Sequence, residues 1–125
     1  MPATAPEDVQ SLFSEALNAG DLDGIMSLFE LEATLLSQPG QPVTGAEAIR
    51  EAMSGFLATK PAFESELQTV LEAGDLALLS ATWTLRGTGP ASAIELAGRT
   101  SDAVRRQPDG MWRLVIDNPW GLGGG

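Results

Sequence analysis

The spacing of apolar residues predicts helices in the first half of the chain. Apolar residues recur at helical spacing in three segments, which indicates three amphipathic helices. The first has Pro6 in its first turn and ends near Gly20, and the second is short and capped by Asp21. The third follows a capping box that starts at Thr44 and ends before Pro61, because a residue that precedes proline is pushed out of the helical region.

Apolar and polar residues alternate in the second half, which is typical of strands. A short strand is predicted at residues 32–37, followed by a loop at residues 38–42, where two prolines and a glycine occur. Four longer strands are predicted at residues 62–73, 75–87, 93–106 and 111–118. Short turns join these four strands, which predicts an antiparallel sheet. Helices segregated to one side of such a sheet make an α+β fold.

Composition is typical of a single globular domain. The 125 residues are enough for one hydrophobic core, and 43% are hydrophobic and 19% charged. We therefore expect residues 1–125 to form one domain with an ordered core at about residues 6–120. No apolar run approaches roughly 18 residues, so no membrane span is predicted. The first ten residues lack the pattern of a secretory signal, and we expect a cytoplasmic protein.

Net charge and missing residue types exclude several kinds of site. A net charge of −10 with seven basic residues argues against nucleic-acid binding, which needs clustered Lys and Arg. The chain contains no Cys and no His, which excludes thiol nucleophiles, Ser-His-Asp catalysis and the usual zinc ligands. Tyr is also absent. Chemistry must come from carboxylates, Arg, hydroxyls, amides, indoles or the backbone, and we expect no cofactor and no metal.

Two acids in the predicted hairpin at residues 101–120 are candidate site residues. Asp102 lies on a partly apolar strand face, where loss of hydration would raise its pKa. It is a candidate hydrogen-bond donor in a pocket, and a structural acid paired with an arginine is the alternative. Asp117 is either a polar residue at the mouth of that pocket or part of the turn chemistry before Pro119.

The chain resembles a known family of proteins in several segments. Ketosteroid isomerases and the wider nuclear transport factor 2-like superfamily open with a segment similar to residues 16–29, which read ALNAGDLDGIMSLF. The resemblance covers nearly the whole chain, and the hairpin also resembles SnoaL-like proteins. The resemblance to ketosteroid isomerases continues at residues 32–34, 45–51, 102–105, 109–110 and 112. It implies a cystatin-like cone, in which a curved, mostly antiparallel sheet wraps around three N-terminal helices, and a homodimer through the sheet.

The isomerase resemblance implies a three-part site that this chain retains only in part. Ketosteroid isomerases use a carboxylate base, a tyrosine hydroxyl and a protonated aspartic acid. The acid falls on Asp102, the tyrosine on Phe13 and the base on Ser37. A phenyl ring has no hydroxyl, and a lone serine is not a base. Loss of a base costs roughly 10²–10⁴ in rate and loss of an oxyanion donor about 10²–10³, so we expect negligible isomerase activity.

Two functions remain open from the sequence. The first is an apolar pocket for a small apolar molecule, either polycyclic or carbonyl-bearing, anchored by Asp102. In a catalytic form of this function, Asp102 donates a proton in an isomerase- or cyclase-like reaction. The second is a non-catalytic module that dimerises or binds a protein through the sheet face. The predicted pocket residues are Phe13, Ser37, Met53, Trp83, Asp117 and Trp120, with Trp120 as a candidate lid and core packing as the alternative for Trp83.

Overall fold

A computed structural model of the protein describes residues 3–38, 40–88 and 93–121. The helices are α1 (Pro6–Ala19), α2 (Leu22–Met26) and α3 (Ala46–Ala58). The strands are β1 (Phe29–Gln38), β2 (Gln41–Thr44), β3 (Ala62–Ala73), β4 (Leu76–Thr88), β5 (Ala93–Arg99), β6 (Asp102–Arg106) and β7 (Trp112–Asp117). Among these residues the longest helix, α1, has 14 residues, so no helix reaches the roughly 20 residues that a membrane-spanning helix needs.

The strands form one curved sheet in the order β2-β1-β7-β6-β4-β3, and β5 also pairs with β4. The β1–β7 pair is parallel, and the other pairs are antiparallel. Helix α1 contacts β3, β4, β6 and β7, and α3 contacts β1 and β2. The predicted α+β cone with a mostly antiparallel sheet is therefore confirmed.

Strand β4 shows how the sheet separates a core face from an outer face. Leu79 and Trp83 point towards the helices and are buried, whereas Leu78 and Thr84 point away from them and are exposed. Successive side chains of a strand lie on opposite faces, so the alternating sequence specifies which face packs against the helices. The core therefore lies between the inner face of the sheet and the three helices.

The loop predicted at residues 38–42 is too long, because Gln38 belongs to β1 and Gln41 and Pro42 belong to β2, which pairs with β1. Residue 39 of this prediction lies outside the described residues. Strand β2 is at the edge of the sheet, where Pro42 is tolerated although it has no backbone N–H to donate. The capping box predicted to start at Thr44 is also wrong. Thr44 belongs to β2, its hydroxyl lies 2.9 Å from that of Thr34, and α3 begins after Gly45 without a side-chain cap.

The strand predicted at residues 93–106 is divided into β5 and β6 by Thr100 and Ser101. Both pieces keep a common register against β4, so the interruption is local. The backbone N–H of Ala81 donates to the hydroxyl of buried Thr100 at 3.0 Å, where a regular ladder would use a carbonyl oxygen. The Thr100 hydroxyl thus replaces one backbone acceptor of the hydrogen-bond ladder, two residues before Asp102.

Candidate functional site

A cavity of about 60 Å³ lies between the helices and the inner face of the sheet. Its walls are mostly apolar and come from both the helices and the sheet. The predicted residues that line it are Phe13, Met53, Trp83, Asp102, Asp117 and Trp120. Phe56 and Phe63 also line the cavity; the sequence assigns Phe56 to the core or the pocket wall and does not single out Phe63. Their apolar character is equally consistent with ordinary core packing.

Ser37 is the predicted pocket residue that does not line this cavity. The register of the β1–β2 pair shifts between Leu36 and Gln38, so Ser37 is the extra residue of a bulge. Its hydroxyl donates to the backbone carbonyl of Gln41 at 3.0 Å. The prediction is corrected here, because the bulge and this hydrogen bond hold Ser37 in the hairpin. Leu35 is the β1 residue that lines the cavity.

The polar part of the cavity is a pair of buried carboxyl groups. Ala103 of β6 pairs with Ile116 of β7, so the adjacent residues Asp102 and Asp117 lie side by side on the inner face. Their relative exposures are 5% and 7%. Oδ1 of Asp102 accepts a hydrogen bond from the backbone N–H of Asn118 at 2.8 Å. Two carboxyl groups this close and this poorly hydrated cannot both carry a full charge.

Burial makes it unfavourable for both carboxyl groups of the pair to be charged. Burial raises the pKa of Asp102 to about 6, against the opposing effect of hydrogen bonds from Asn118, Asp117 and Thr100. Burial also raises the pKa of Asp117 well above its ordinary value, and the neighbouring charge of Asp102 raises it further. At neutral pH the pair therefore shares one proton and carries one negative charge.

Thr100 is a third polar residue of the site that sequence reasoning missed as a functional residue. It lines the cavity, is buried and hydrogen-bonds the Asp102 carboxylate, which lowers the pKa of Asp102. A signal for it was present, since Thr100 shares the strand parity of Asp102. The sequence does not reveal the break in the strand. It therefore does not show that the Thr100 hydroxyl faces both Ala81 and the acid pair.

Aromatic rings form one wall of the cavity. The ring of Phe63 stacks on that of Trp83, with centroids 5.9 Å apart, and Trp120 meets Trp83 edge-on at 5.5 Å. The indole N–H of Trp83 donates to the carbonyl of Pro119 at 2.7 Å, and that of Trp120 donates to the carbonyl of Leu36 at 3.1 Å. Both indole donors are occupied by the backbone, so these residues offer a ligand their ring surfaces.

Asn118 connects the acid pair to the segment that carries Trp120. Its backbone N–H donates to Asp102, and its side-chain oxygen accepts from the N–H of Trp120 at 3.2 Å. Its side-chain nitrogen donates to the carbonyl of Gly121 at 3.1 Å. Asn residues favour this role in turns. Here Asn118 also fixes the position of the Asp102 carboxyl group.

The described part of the chain brings together no group of three acidic side chains that could hold a metal ion. The Asp102–Asp117 pair alone supplies two carboxyl groups, and one of them keeps its proton at neutral pH. Hard cations such as Ca²⁺ need six or more oxygen ligands. The arrangement is therefore suited to hydrogen bonding and proton exchange with a small molecule.

Comparisons with known proteins agree with this fold. The sequence profile of the SnoaL-like domain matches residues 9–115, and no curated protein matches the chain significantly. A ketosteroid isomerase-like protein from Erwinia carotovora atroseptica is 15% identical, with a TM-score of 0.76 and 95% of each chain covered. An NTF-2 like protein of unknown function from Shewanella oneidensis is 18% identical, with a TM-score of 0.74, covering 89% of this chain and 92% of that one.

A third solved structure is a proposed scytalone dehydratase from Novosphingobium aromaticivorans. It is 14% identical, with a TM-score of 0.78, and the match covers 95% of this chain and 91% of the dehydratase. At these identities the structures establish a shared fold, and the profile match over most of the chain establishes the family. The protein therefore belongs to the SnoaL-like domain family.

Proposed function

We propose that the protein binds a small, largely apolar molecule in this cavity, with Asp102 as the polar anchor. The observation that carries the proposal is a buried carboxyl pair in a chamber whose walls are otherwise mostly apolar. Apolar walls with a few convergent polar groups of perturbed pKa are typical of ligand sites. The pair carries one negative charge and accepts hydrogen bonds, so a ligand with a donor group suits it better than the carbonyl compound expected from the sequence.

The size of the cavity limits the ligand. An apolar cavity of about 150 Å³ holds benzene, and this cavity is smaller, at about 60 Å³. The volume therefore favours a compact ligand over a polycyclic one. A single ring requires a wall side chain to move, and Trp120 is suited to this because it is only part-buried and its side chain makes one hydrogen bond, to Leu36.

The proposal concerns binding, and ketosteroid isomerase chemistry is not part of it. Phe13 lines the cavity without a hydroxyl, and Ser37 lies outside it. The site therefore lacks the tyrosine hydroxyl, the second oxyanion donor on which that reaction depends.

Ligand binding can be measured through thermal stability and tryptophan fluorescence with a panel of small alcohols, phenols and amines. A ligand at 100 times its Kd stabilises the protein by about 2.7 kcal/mol. The Asp102→Asn variant should weaken binding by about tenfold or more, because hydrogen bonds to charged groups are the stronger ones. Glu64→Gln, which changes an exposed acid, is the control. No response to any compound in the panel would overturn the proposal.

We also propose that the outer face of the sheet forms a homodimer. Leu71, Leu78, Ala103 and Ile116 lie in one register row across β3, β4, β6 and β7. The three larger side chains of this row are strongly exposed. A contiguous exposed apolar row marks an interaction surface, and a twofold axis through it would bring the same patch of two copies together.

The dimer proposal predicts a concentration-dependent mass in sedimentation experiments. Leu78→Asp, at the centre of the row, should give a monomer, because it places a charge in the apolar contact. Thr84→Asp lies on the same face of the same strand outside the row and should leave the dimer intact. A wild-type protein that remains monomeric at high concentration would exclude this assembly.

A further inference from the structure

We propose that the ligand of this cavity is a small organic cation, such as an amine with a compact apolar body. The inference rests on the proposed small-molecule function and adds the charge of the ligand. Three features of the site carry it: the acids in the lining, the absence of a basic partner there, and the aromatic wall.

The acids of the cavity lack a basic partner from the protein. Among the described residues that line the cavity, Asp102 and Asp117 are the charged or titratable ones, and no Lys or Arg joins them. Four arginines instead pair with acids at the surface. These pairs are Arg50 with Asp23, Arg86 with Glu95, Arg105 with Glu30 and Arg106 with Asp75. The protein thus leaves a buried anionic site open to a cation from outside.

The buried charge favours a cation because it has already lost most of its hydration. Forming a buried ion pair usually requires both partners to be desolvated, and that penalty often exceeds their attraction. Here the Asp102 carboxylate is at 5% exposure before any ligand arrives. Only the ligand must lose water, and its attraction to the carboxylate is strengthened by the low dielectric of the cavity. A ligand anion would be repelled by the same charge.

The aromatic wall suits a cation as well. Phe13, Phe63, Trp83 and Trp120 form a chain of rings whose successive centroids lie 5.5–6.4 Å apart. Ring faces attract cations electrostatically, and Trp does so most strongly. Because both indole N–H groups donate to backbone carbonyls, the rings offer π surface and no hydrogen-bond donor to an anionic ligand.

Matched ligands of the same shape test the charge directly. Calorimetry at pH 7.5 would compare isobutylamine with isobutanol, and cyclohexylamine with cyclohexanol and cyclohexanecarboxylate. We expect each amine to bind about tenfold more tightly than its alcohol, and the carboxylate not to bind. If the alcohols bind as tightly as the amines, the charge inference fails and the binding proposal stands. If nothing in the panel binds, both fail.

A variant pair shows where the selectivity comes from. The double variant Asp102→Asn/Asp117→Asn removes the charge from the cavity, so the amine and the alcohol should bind within about twofold of each other. Glu64→Gln removes one charge from the surface and should keep the tenfold ratio. An amine preference that survives in the double variant would show that the cavity acids do not select the ligand, and it would overturn the inference.

The wild-type protein provides the same test without a substitution. Asp117 is the other titratable group that faces Asp102 in the cavity, and burial raises its pKa well above the ordinary value. Asp102 takes up a proton as the pH falls below about 6, whereas the amines stay charged. The ratio of amine to alcohol affinity should therefore fall several-fold between pH 7.5 and pH 5. A constant ratio would contradict a role for the pair.

Discussion

The two faces of the sheet carry similar apolar side chains, but those on the inner face are buried and several of those on the outer face are exposed. Leu79 and Leu78 are neighbours on β4, yet Leu79 is 2% exposed and Leu78 is 57% exposed. The inner face packs against the helices, and the outer face lacks such cover among the described residues. The same residue type therefore contributes to folding on one face, whereas on the other it is available for association.

The inner face also buries polar residues, a residue type that is usually exposed. On the inner face, Thr100, Asp102 and Asp117 take positions in the core that apolar side chains would fill with greater stability. Locally unfavourable choices of this kind are expected at functional sites, where selection favours binding over stability. The inner face thus contains both the core and the candidate site, and four measurements can separate these roles.

The largest effect is expected from truncating the inner face. Leu79→Ala should lower the free energy of unfolding by about 2–5 kcal/mol, since it removes buried methyl groups and leaves a space that the core fills only in part. Urea denaturation followed by circular dichroism measures this value. A loss below about 1 kcal/mol would mean that the inner face at β4 is not closely packed.

The acid pair should make stability depend on pH. The folded pKa of Asp102, about 6, lies above its ordinary value of 3.8, so the folded state binds the proton more tightly than the unfolded chain. The resulting stabilisation is fully present below about pH 4 and is lost as the pH rises through 6.

The double variant Asp102→Asn/Asp117→Asn serves as the reference for this measurement, because it retains every other titratable group. The free energy of unfolding of the wild type relative to this variant should fall between pH 4 and pH 7.5. A difference that stays constant across that range would show that the two carboxyl groups are not buried together.

Thr100→Val should lower the free energy of unfolding by about 1–3 kcal/mol, because the N–H of Ala81 loses its acceptor inside the protein. Thr100→Ser keeps the hydroxyl and is the matched control. Hydrogen exchange at the amide of Ala81 should accelerate in the valine variant and change little in the serine variant. Equal stability of the two variants would mean that the hydroxyl does not hold this part of the sheet.

The smallest effect is expected on the outer face. Leu78→Ala should change the free energy of unfolding by less than about 0.5 kcal/mol in dilute protein, since the side chain is largely exposed in the monomer. Denaturation at low and high protein concentration measures this. A loss as large as that of Leu79→Ala in dilute protein would remove the distinction between the two faces.

Patterns with a long, regular period were predictable from the sequence. Strand β3 spans Ala62–Ala73, as predicted, and β4 differs from its prediction by one residue at each end. The helices were predictable because their apolar stripes recur over several turns, and Asp21 caps α2 as predicted, with its carboxylate accepting from the N–H of Gly24 at 2.9 Å. These features depend on residues close in sequence, where the backbone geometry determines which side chains share a face.

The wrong predictions concern residues whose structure depends on how two strands pair. The prediction of a loop fails at Gln41 and Pro42, which pair with β1 as part of strand β2. Ser37 was placed in the pocket by resemblance, and a bulge in the same hairpin keeps it outside. Neither the register of a strand pair nor the position of a bulge follows from local composition.

The sequence by itself determined the fold class, the family resemblance and Asp102 as the central candidate, because periodicity and residue type are local properties. Only the tertiary structure decided that Asp117 lies beside Asp102, that Thr100 joins them, and that no basic side chain reaches the described lining of the cavity. The acids are 15 positions apart in sequence and meet through the pairing of β6 with β7. Their shared proton depends on burial and proximity, which are properties of the assembled core.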